Sequence, residues 1–248
     1  MQIPRDTYAL YGYGEHRKLN AAAQILGEEK LCAFLSQSLG VSIDGYASIE
    51  LDGFRALVDK VGGVEVELER ALDYEDPEQG LYIHLPKGKQ TLDGLGAEKL
   101  IRFRSGYARG DLDRLDVQKT FIAALFKKLS SSVNITNAYG VATELLPYLD
   151  TNIGATTLVA LGLEALRLEG KDIGFLTLPG EGAVSQKSGA SFYVMSAPMT
   201  DRALREYFGK TEPLIDEDKA FLHSSYANFR EIYERDGDVS LMFADTLE

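Results

Sequence analysis

The sequence is short of three things, which are cysteine, positive charge and long apolar runs. Its 248 residues include one cysteine, so a disulfide within the chain is excluded. Its 26 lysine and arginine residues stand against 38 aspartate and glutamate residues, giving a formal net charge of −12. A chain this acidic argues against nucleic acid as a partner, because phosphate-backbone binding requires a broad positive face. No apolar run reaches the roughly 18 residues that predict a membrane-spanning helix.

The single cysteine, Cys32, lies in the apolar run Leu31–Leu35. No histidine or pair of basic residues flanks it, although such neighbours are what activate a thiol as a nucleophile. We therefore interpret Cys32 as a small core residue. The apolar and charged fractions, 45% and 26%, are those of an ordinary globular protein long enough to bury a substantial core.

Predicted strands alternate with predicted helices along the chain. Strict alternation of apolar and polar residues in 64–68 and 81–85 predicts half-buried strands. Apolar residues at helical spacing predict helices over 28–39 and 112–129. This alternation favours an α/β fold, arranged as a layered α-β-α sandwich around a mixed, mostly central β-sheet.

The chain is predicted to consist of a domain and an extension. The alternating elements occupy residues 1–208. Beyond Gly209, the stretch 211–213 is typical of a linker, and the pattern in 216–235 predicts a charged terminal helix. Residues 209–248 are therefore predicted to form a linker and a C-terminal helical extension.

A cluster of cations in 97–119 interrupts the acidic composition. Arg102 and Arg104 are two apart, so on an extended segment both guanidinium groups would leave the same face. Arg114 and Gln118 are four apart and share one face of the helix that follows. Because guanidinium groups donate paired N–H groups to phosphate oxygens, the pattern suits a phosphate or pyrophosphate. The alternative is a solvated face with weak ion pairs, which is the commoner meaning of such a run.

Seven motifs, each weak alone, follow one another in the order expected for one family. The motifs are Ile3–Thr7, Lys18–Ala22, Val58–Val64, Gly88–Gly94, Ile101–Arg104, Gly110–Gln118 and Leu178–Glu181. On these motifs the chain resembles the LytR-CpsA-Psr domain of bacterial envelope assembly, over about residues 1–208.

The resemblance implies an enzyme of cell wall assembly. Members of this family are phosphotransferases that move a glycopolymer, such as a teichoic acid or a capsular polysaccharide, from a polyprenyl-pyrophosphate carrier to peptidoglycan. The implied partners are the lipid-linked glycan and the peptidoglycan acceptor. The implied location is extracytoplasmic and, in a full-length form, at the membrane surface, whereas the chain as given is expected to be soluble.

The resemblance also assigns residues to the pyrophosphate site. Lys18 and Asn20 match a motif near that site, and Asp111 matches an acidic position that holds an arginine and caps a helix. For Asp6 and Thr7 we expect local turn bonds. The implied catalytic residues are Arg5, Arg102, Arg104, Asp111 and Arg114. The implied pyrophosphate-binding residues are Arg5, Lys18, Asn20, Arg102, Arg104, Arg114 and Gln118.

Magnesium is the cofactor that the resemblance implies, but its ligands have no counterpart in this sequence. In the family a strand and two metal-binding aspartates precede the Pro-Arg-Asp motif, here Pro4–Asp6. We therefore assign no metal ligand in this chain and expect an N-terminally truncated member. The alternative function is a module that binds polyprenyl (pyro)phosphate without turnover. A transcriptional regulator is disfavoured, because the sequence shows neither a helix-turn-helix nor a basic face.

The isoprenoid tail of the carrier requires an apolar tunnel between sheet and helices. Five apolar residues are candidates for its lining, although each suits an ordinary core equally well. They are Leu31, Phe34, Leu57, Phe121 and Leu125.

Overall fold

Helices and strands alternate along the chain, which confirms the α/β class predicted from the sequence. The chain divides into two compact units. The first unit is Met1–Tyr46 with Phe175–Met242, and the second unit is Ala47–Gly174 with Phe243–Glu248. The computed structural model describes residues 1–11, 15–103, 111–133, 137–186, 188–221, 228–239 and 242–243.

The elements have the following bounds. The strands are β1 (Tyr8–Tyr11), β2 (Glu15–Lys18), β3 (Ala47–Ile49), β4 (Val64–Leu68), β5 (Leu72–Asp76), β6 (Leu81–Leu85), β7 (Gly88–Leu92), β8 (Leu149–Thr151), β9 (Gly174–Phe175), β10 (Gly180–Val184), β11 (Ser191–Met195) and β12 (Met242–Phe243). The α-helices are α1 (Ala22–Leu26), α2 (Glu28–Leu39), α3 (Leu51–Lys60), α4 (Gly94–Arg102), α5 (Asp111–Ser132), α6 (Ala138–Leu145), α7 (Ala155–Ala165), α8 (Ala197–Phe208) and α9 (Arg230–Tyr233). Short 3-10 helices occur at Leu19–Ala21, Pro77–Gln79, Leu146–Tyr148, Gly170–Asp172 and Glu217–Lys219.

The second unit has a core of antiparallel strand pairs packed against three helices. Strand β4 pairs with β7, and β5 pairs with β6. Along β4 and β6 every second residue is buried, as the alternating sequence predicted, because successive side chains point to opposite faces of a strand. Helices α3, α4 and α5 lie over the buried face, where the rings of Phe54 and Phe121 are 5.8 Å apart.

The first unit contains the antiparallel pairs β1–β2 and β10–β11. Strand β11 runs beside the start of β1, where Thr7 and Tyr193 form a parallel bridge. The N-terminus joins the same unit through Gln2, whose N–H donates to the Leu176 carbonyl over 2.6 Å and whose carbonyl accepts from the Leu178 N–H over 2.8 Å. These bonds fix the segment that leads into the Pro-Arg-Asp motif.

Within the first unit, residues near the C-terminus pack against β1 and β11. The Leu10 N–H donates to the Phe221 carbonyl over 2.9 Å, and the Phe221, Phe229 and Tyr233 side chains are buried. The continuous helix predicted over 216–235 is wrong, because its described residues form only a 3-10 turn and the single helical turn α9. The three aromatic side chains are buried by contacts with residues distant in the sequence, and they do not lie along one face of a helix. The division of the chain at residue 208 stays a prediction.

Helices α2 and α5 confirm the two helices predicted over 28–39 and 112–129. Both are amphipathic segments whose apolar residues recur at helical spacing. Within the part of the chain that the structure describes, no helix combines the length and the apolar character needed to cross a bilayer.

Candidate functional site

In the first unit two cations contact the Asp6 carboxylate, and Asn20 is joined to one of them through its backbone; we call this group the Asp6 cluster (Arg5, Asp6, Lys18 and Asn20). The Arg5 Nε lies 3.5 Å from Asp6 Oδ1, and the Lys18 Nζ donates to Asp6 Oδ2 over 3.0 Å. The side chains of Arg5, Asp6 and Lys18 are 40%, 37% and 36% exposed. The two cations therefore share one carboxylate at a place that solvent reaches, so these three side chains together carry one net positive charge.

A tight turn holds the Asp6 cluster in place. Thr7 is fully buried, and its hydroxyl donates to the Pro4 carbonyl over 2.6 Å, so the turn bond predicted for Thr7 is confirmed. The Asn20 N–H donates to the Arg5 carbonyl over 2.8 Å, which joins the second motif to the first. The Asp6 side chain differs from the expected turn bond, because it faces the two cations instead.

A second group of charged residues lies in the second unit around Glu98 on α4. The Glu98 side chain is only 4% exposed. Its Oε1 accepts from the Arg102 Nη1 over 2.9 Å, and its Oε2 accepts from the Arg55 Nε. Burial alone would raise the pKa of the Glu98 carboxyl, but the hydrogen bonds and positive charges of Arg55 and Arg102 outweigh it and lower that pKa below its ordinary value. Glu98 is therefore ionised at neutral pH and holds both guanidinium groups.

The extended conformation predicted for Arg102 is wrong, because α4 continues through that residue. Asp93 starts the helix by accepting from the Gly96 N–H over 2.7 Å, and the Glu98–Arg102 pair at spacing i,i+4 supports its last turn. Sequence reasoning missed Glu98. The i,i+4 spacing was the available signal, but it has meaning only on a helix.

The glutamine of the Gly-Asp-x-x-Arg-x-x-x-Gln motif touches the end of α4. The Gln118 Nε2 donates to the Ile101 carbonyl over 3.0 Å, which ties α5 to the turn that carries Arg102. Arg114, one turn earlier on α5, is 8% exposed. Arg104 lies outside the described residues, and so does the side chain of Asp111. The phosphate-binding roles of all these residues stay predictions.

The candidates for the lipid tail lie in different surroundings. Phe121 and Leu125 are buried in the core of the second unit, with Leu57 packed against it. In the first unit, Phe34 lines an open depression of about 700 Å³, and Leu31 lies half-buried on the same helix. The other residues that line the depression are Tyr11, Leu26, Lys30, Ala33, Ser36 and Gln37. A role toward a lipid stays a prediction for all five candidates.

The described part of the chain contains no set of side chains suited to bind magnesium. Among those residues no group of three or more histidine, cysteine, aspartate or glutamate side chains is arranged to hold a metal ion. The acidic residue of the Pro-Arg-Asp motif, Asp6, faces Lys18 and Arg5. The described residues therefore do not fit a magnesium site.

Comparison with known proteins gives a family match over most of the chain. The model of the LytR_cpsA_psr family matches residues 1–207. The polyisoprenyl-teichoic acid–peptidoglycan teichoic acid transferase TagV of Bacillus subtilis (strain 168) is 32% identical over 184 residues, which are 73% of this chain and 47% of that protein. The cell wall biosynthesis protein LcpA of Corynebacterium glutamicum is 39% identical over 126 residues, 51% of this chain and 24% of that protein.

A regulatory protein and a crystal structure are also similar to this chain. The regulatory protein MsrR of Staphylococcus aureus (strain COL) is 31% identical over 183 residues, 72% of this chain and 54% of that protein. The crystal structure of B. subtilis TagV superposes with a TM-score of 0.69 at 27% identity, covering 84% of this chain and 82% of that one. The chain spans about half or less of the length of these curated relatives.

Proposed function

The chain belongs to the LytR-CpsA-Psr family, and on that premise we propose that it acts in a phosphotransferase that moves a glycopolymer from a polyprenyl-pyrophosphate carrier to peptidoglycan. The single observation that carries the proposal is the family match over residues 1–207. The names of two relatives, a teichoic acid transferase and a cell wall biosynthesis protein, support it. The protein would act outside the cytoplasm at the membrane surface, where such a lipid-linked substrate is found.

The Asp6 cluster has the properties that a pyrophosphate-binding site needs. The Arg5 guanidinium and the Lys18 ammonium both carry N–H donors, and an anion receives stronger hydrogen bonds from charged donors than from neutral ones. Asp6 holds the two cations in place before the ligand arrives, which reduces the ordering that binding would otherwise require. Both cations are more than one third exposed, so a ligand can reach them.

The second unit contains the other residues that the family resemblance names. Glu98 holds Arg102 at the end of α4, and Gln118 fixes that end from α5. Arg114 and Gln118 lie in the first turns of α5, whose N-terminal end carries a partial positive charge that favours an anion. We propose phosphate-binding roles for Arg102, Arg104, Arg114 and Gln118, with Asp111 supporting one of the arginines.

In the proposed reaction a hydroxyl group of the acceptor attacks the phosphorus that carries the sugar. The new P–O bond forms as the P–O bond to the polyprenyl phosphate breaks, and the proton of the hydroxyl passes to solvent. Polyprenyl phosphate leaves with the bonding electrons. Negative charge grows on the leaving oxygen, and the arginine and lysine side chains stabilise it through hydrogen bonds that are already oriented.

Transfer by the full-length protein that contains this chain tests the proposal. The assay follows release of polyprenyl phosphate and covalent attachment of the glycan to peptidoglycan oligomers. Arg5→Ala should lower transfer at least ~30-fold, since it removes charged hydrogen bonds worth about 2 kcal/mol or more. The matched control is Arg167→Ala, because Arg167 forms an exposed pair with Glu164, and that variant should keep the wild-type rate.

Two results would contradict the proposal. One is transfer by Arg5→Ala at the wild-type rate. The other is tight binding of polyprenyl pyrophosphate with neither product formed, which would replace the transferase by a module that binds the lipid without turnover.

A further inference from the structure

Three aromatic rings pack together behind the Asp6 cluster, and we call them the aromatic triad (Tyr8, Phe192 and Phe229). The ring centroids of Tyr8 and Phe192 are 4.7 Å apart, and those of Tyr8 and Phe229 are 4.9 Å apart, both pairs edge to face. Phe192 and Phe229 are 6.5 Å apart in a similar arrangement. Each ring therefore has two ring neighbours in a favourable geometry, which restricts its orientation.

The Phe192 ring also faces the Asp6 cluster. The Lys18 Nζ lies 5.9 Å from the centroid of that ring, while it donates to Asp6 Oδ2 over 3.0 Å. The ammonium group is thus held by a carboxylate and by a ring at once. A lysine side chain has many rotamers, so two simultaneous contacts reduce the number that it samples.

Phe229 comes from the C-terminal part of the chain, beyond residue 207 where the family match ends. Its side chain is 5% exposed. A few residues later, the Arg235 guanidinium donates to both carboxylate oxygens of Glu181, over 2.5 and 2.9 Å, and the Ser196 hydroxyl donates to the Arg235 carbonyl. The segment that carries Phe229 is therefore anchored to β10 and to the start of α8.

We propose that Phe229 is a positioning residue for Lys18. Its ring holds Phe192 in the orientation that places a ring face under the ammonium group. The segment after the family match therefore affects how tightly the Asp6 cluster binds its ligand. The inference rests on the proposed function, since it takes pyrophosphate as the ligand of Lys18.

A double-mutant cycle on the 248-residue chain tests this role. Calorimetry measures the Kd of inorganic pyrophosphate, a probe without a lipid tail, for wild type, Phe229→Ala, Lys18→Ala and the double variant. Phe229→Ala should raise Kd about two- to fivefold, which is the size of a cation–π contact. In the double variant Kd should equal that of Lys18→Ala alone, because Phe229 acts only through Lys18.

The matched control is Phe221→Ala. Phe221 is another buried phenylalanine of the C-terminal segment, but its ring packs on Phe34, 5.7 Å away, and not on Phe192. The Phe221→Ala variant should lose stability as Phe229→Ala does, but it should bind pyrophosphate with the wild-type Kd. If either alanine variant does not fold, the leucine variants at both positions enter the same cycle, with a smaller loss expected only at Phe229.

The results separate this inference from the function on which it rests. A wild-type Kd in the Phe229 variant, or a loss that adds to that of Lys18→Ala, would overturn the positioning role while leaving Lys18 as a ligand. A wild-type Kd in Lys18→Ala would instead remove Lys18 from the proposed site, and the positioning role with it.

Discussion

Replacing the buried acid Glu98 by glutamine should destabilise the protein in a way that depends on pH. The Glu98 carboxylate accepts from Arg55 and Arg102 while its side chain is 4% exposed. Glutamine keeps the size of the side chain, but it removes the charge and turns an NH₂ group toward one guanidinium. Both arginines then lose a charged acceptor.

The size of this loss in stability depends on how far water reaches Arg55 and Arg102. Removing one member of a fully buried ion pair costs about 3–5 kcal/mol. The side chains of Arg55 and Arg102 are 38% and 33% exposed, so solvent compensates part of that loss. We expect Glu98→Gln to lower the free energy of unfolding by about 2–3 kcal/mol at pH 7.

The dependence on pH has a definite sign. The pKa of Glu98 in the folded protein lies below its ordinary value of 4.5, so the folded state releases this proton more readily than the unfolded chain. The stabilisation is therefore complete at neutral pH, begins to fall as the pH drops below 4.5, and is lost once the pH passes below the folded pKa. The difference between wild type and Glu98→Gln should shrink over the same range.

Urea unfolding at several pH values measures this difference, with Glu144→Gln as the matched control. Glu144 forms an ion pair with Lys60 in the same unit, but the two side chains are 48% and 43% exposed, so its replacement should cost less than about 1 kcal/mol at any pH. Equal losses in the two variants, or a Glu98→Gln loss that does not change between pH 7 and about pH 3, would refute the role given to the buried carboxylate.

Three more predictions concern the turn, a close backbone contact and the arginine pair. Thr7→Ala, which deletes the buried hydroxyl of the turn, should lower the free energy of unfolding by about 1–2 kcal/mol, and Thr7→Ser should lose less; chemical unfolding compares them. Gly40→Ala should lower the free energy of unfolding by more than about 2 kcal/mol, because φ is +64° and a Cβ would strike neighbouring backbone. Gly209→Ala is the control in the same assay and should cost about 1 kcal/mol, because φ is +61° but nothing lies within 4 Å of the added Cβ. In the transfer assay on the full-length protein, Arg104→Lys should lose at least ~30-fold, nearly as much as Arg104→Ala, because lysine lacks the planar two-point contact to phosphate oxygens. Arg109→Ala should be tolerated, and the reverse order would misplace the phosphate-binding arginines.

The local elements of the fold could be predicted where one pattern decides the structure. Strands β4 and β6 alternate strictly, and α2 and α5 carry apolar residues at helical spacing, so all four were predicted with nearly correct bounds. Thr7 was predicted because a threonine hydroxyl bonds to backbone close by in sequence.

What escaped prediction depends on contacts between distant residues. Arg102 was expected in an extended segment, but the Asp93 cap and the Glu98 pair extend the helix through it. Phe229 contacts Tyr8 and Phe192, which are far away in the sequence, so no local pattern predicts that contact. Motif matching found Arg5 and Lys18, whereas Asp6 was expected to make a local turn bond and instead contacts these two cations.

The central claim is that the Asp6 cluster binds the pyrophosphate of a polyprenyl carrier. Its most direct test compares the Kd of a short-chain polyprenyl pyrophosphate with that of the matching polyprenol, for wild type and for the variant with both Arg5→Ala and Lys18→Ala. Wild type should bind the pyrophosphate at least ~10-fold more tightly than the alcohol, and the double variant should lose most of that difference. Equal affinity of wild type for the two lipids, or an unchanged preference in the double variant, would contradict the claim.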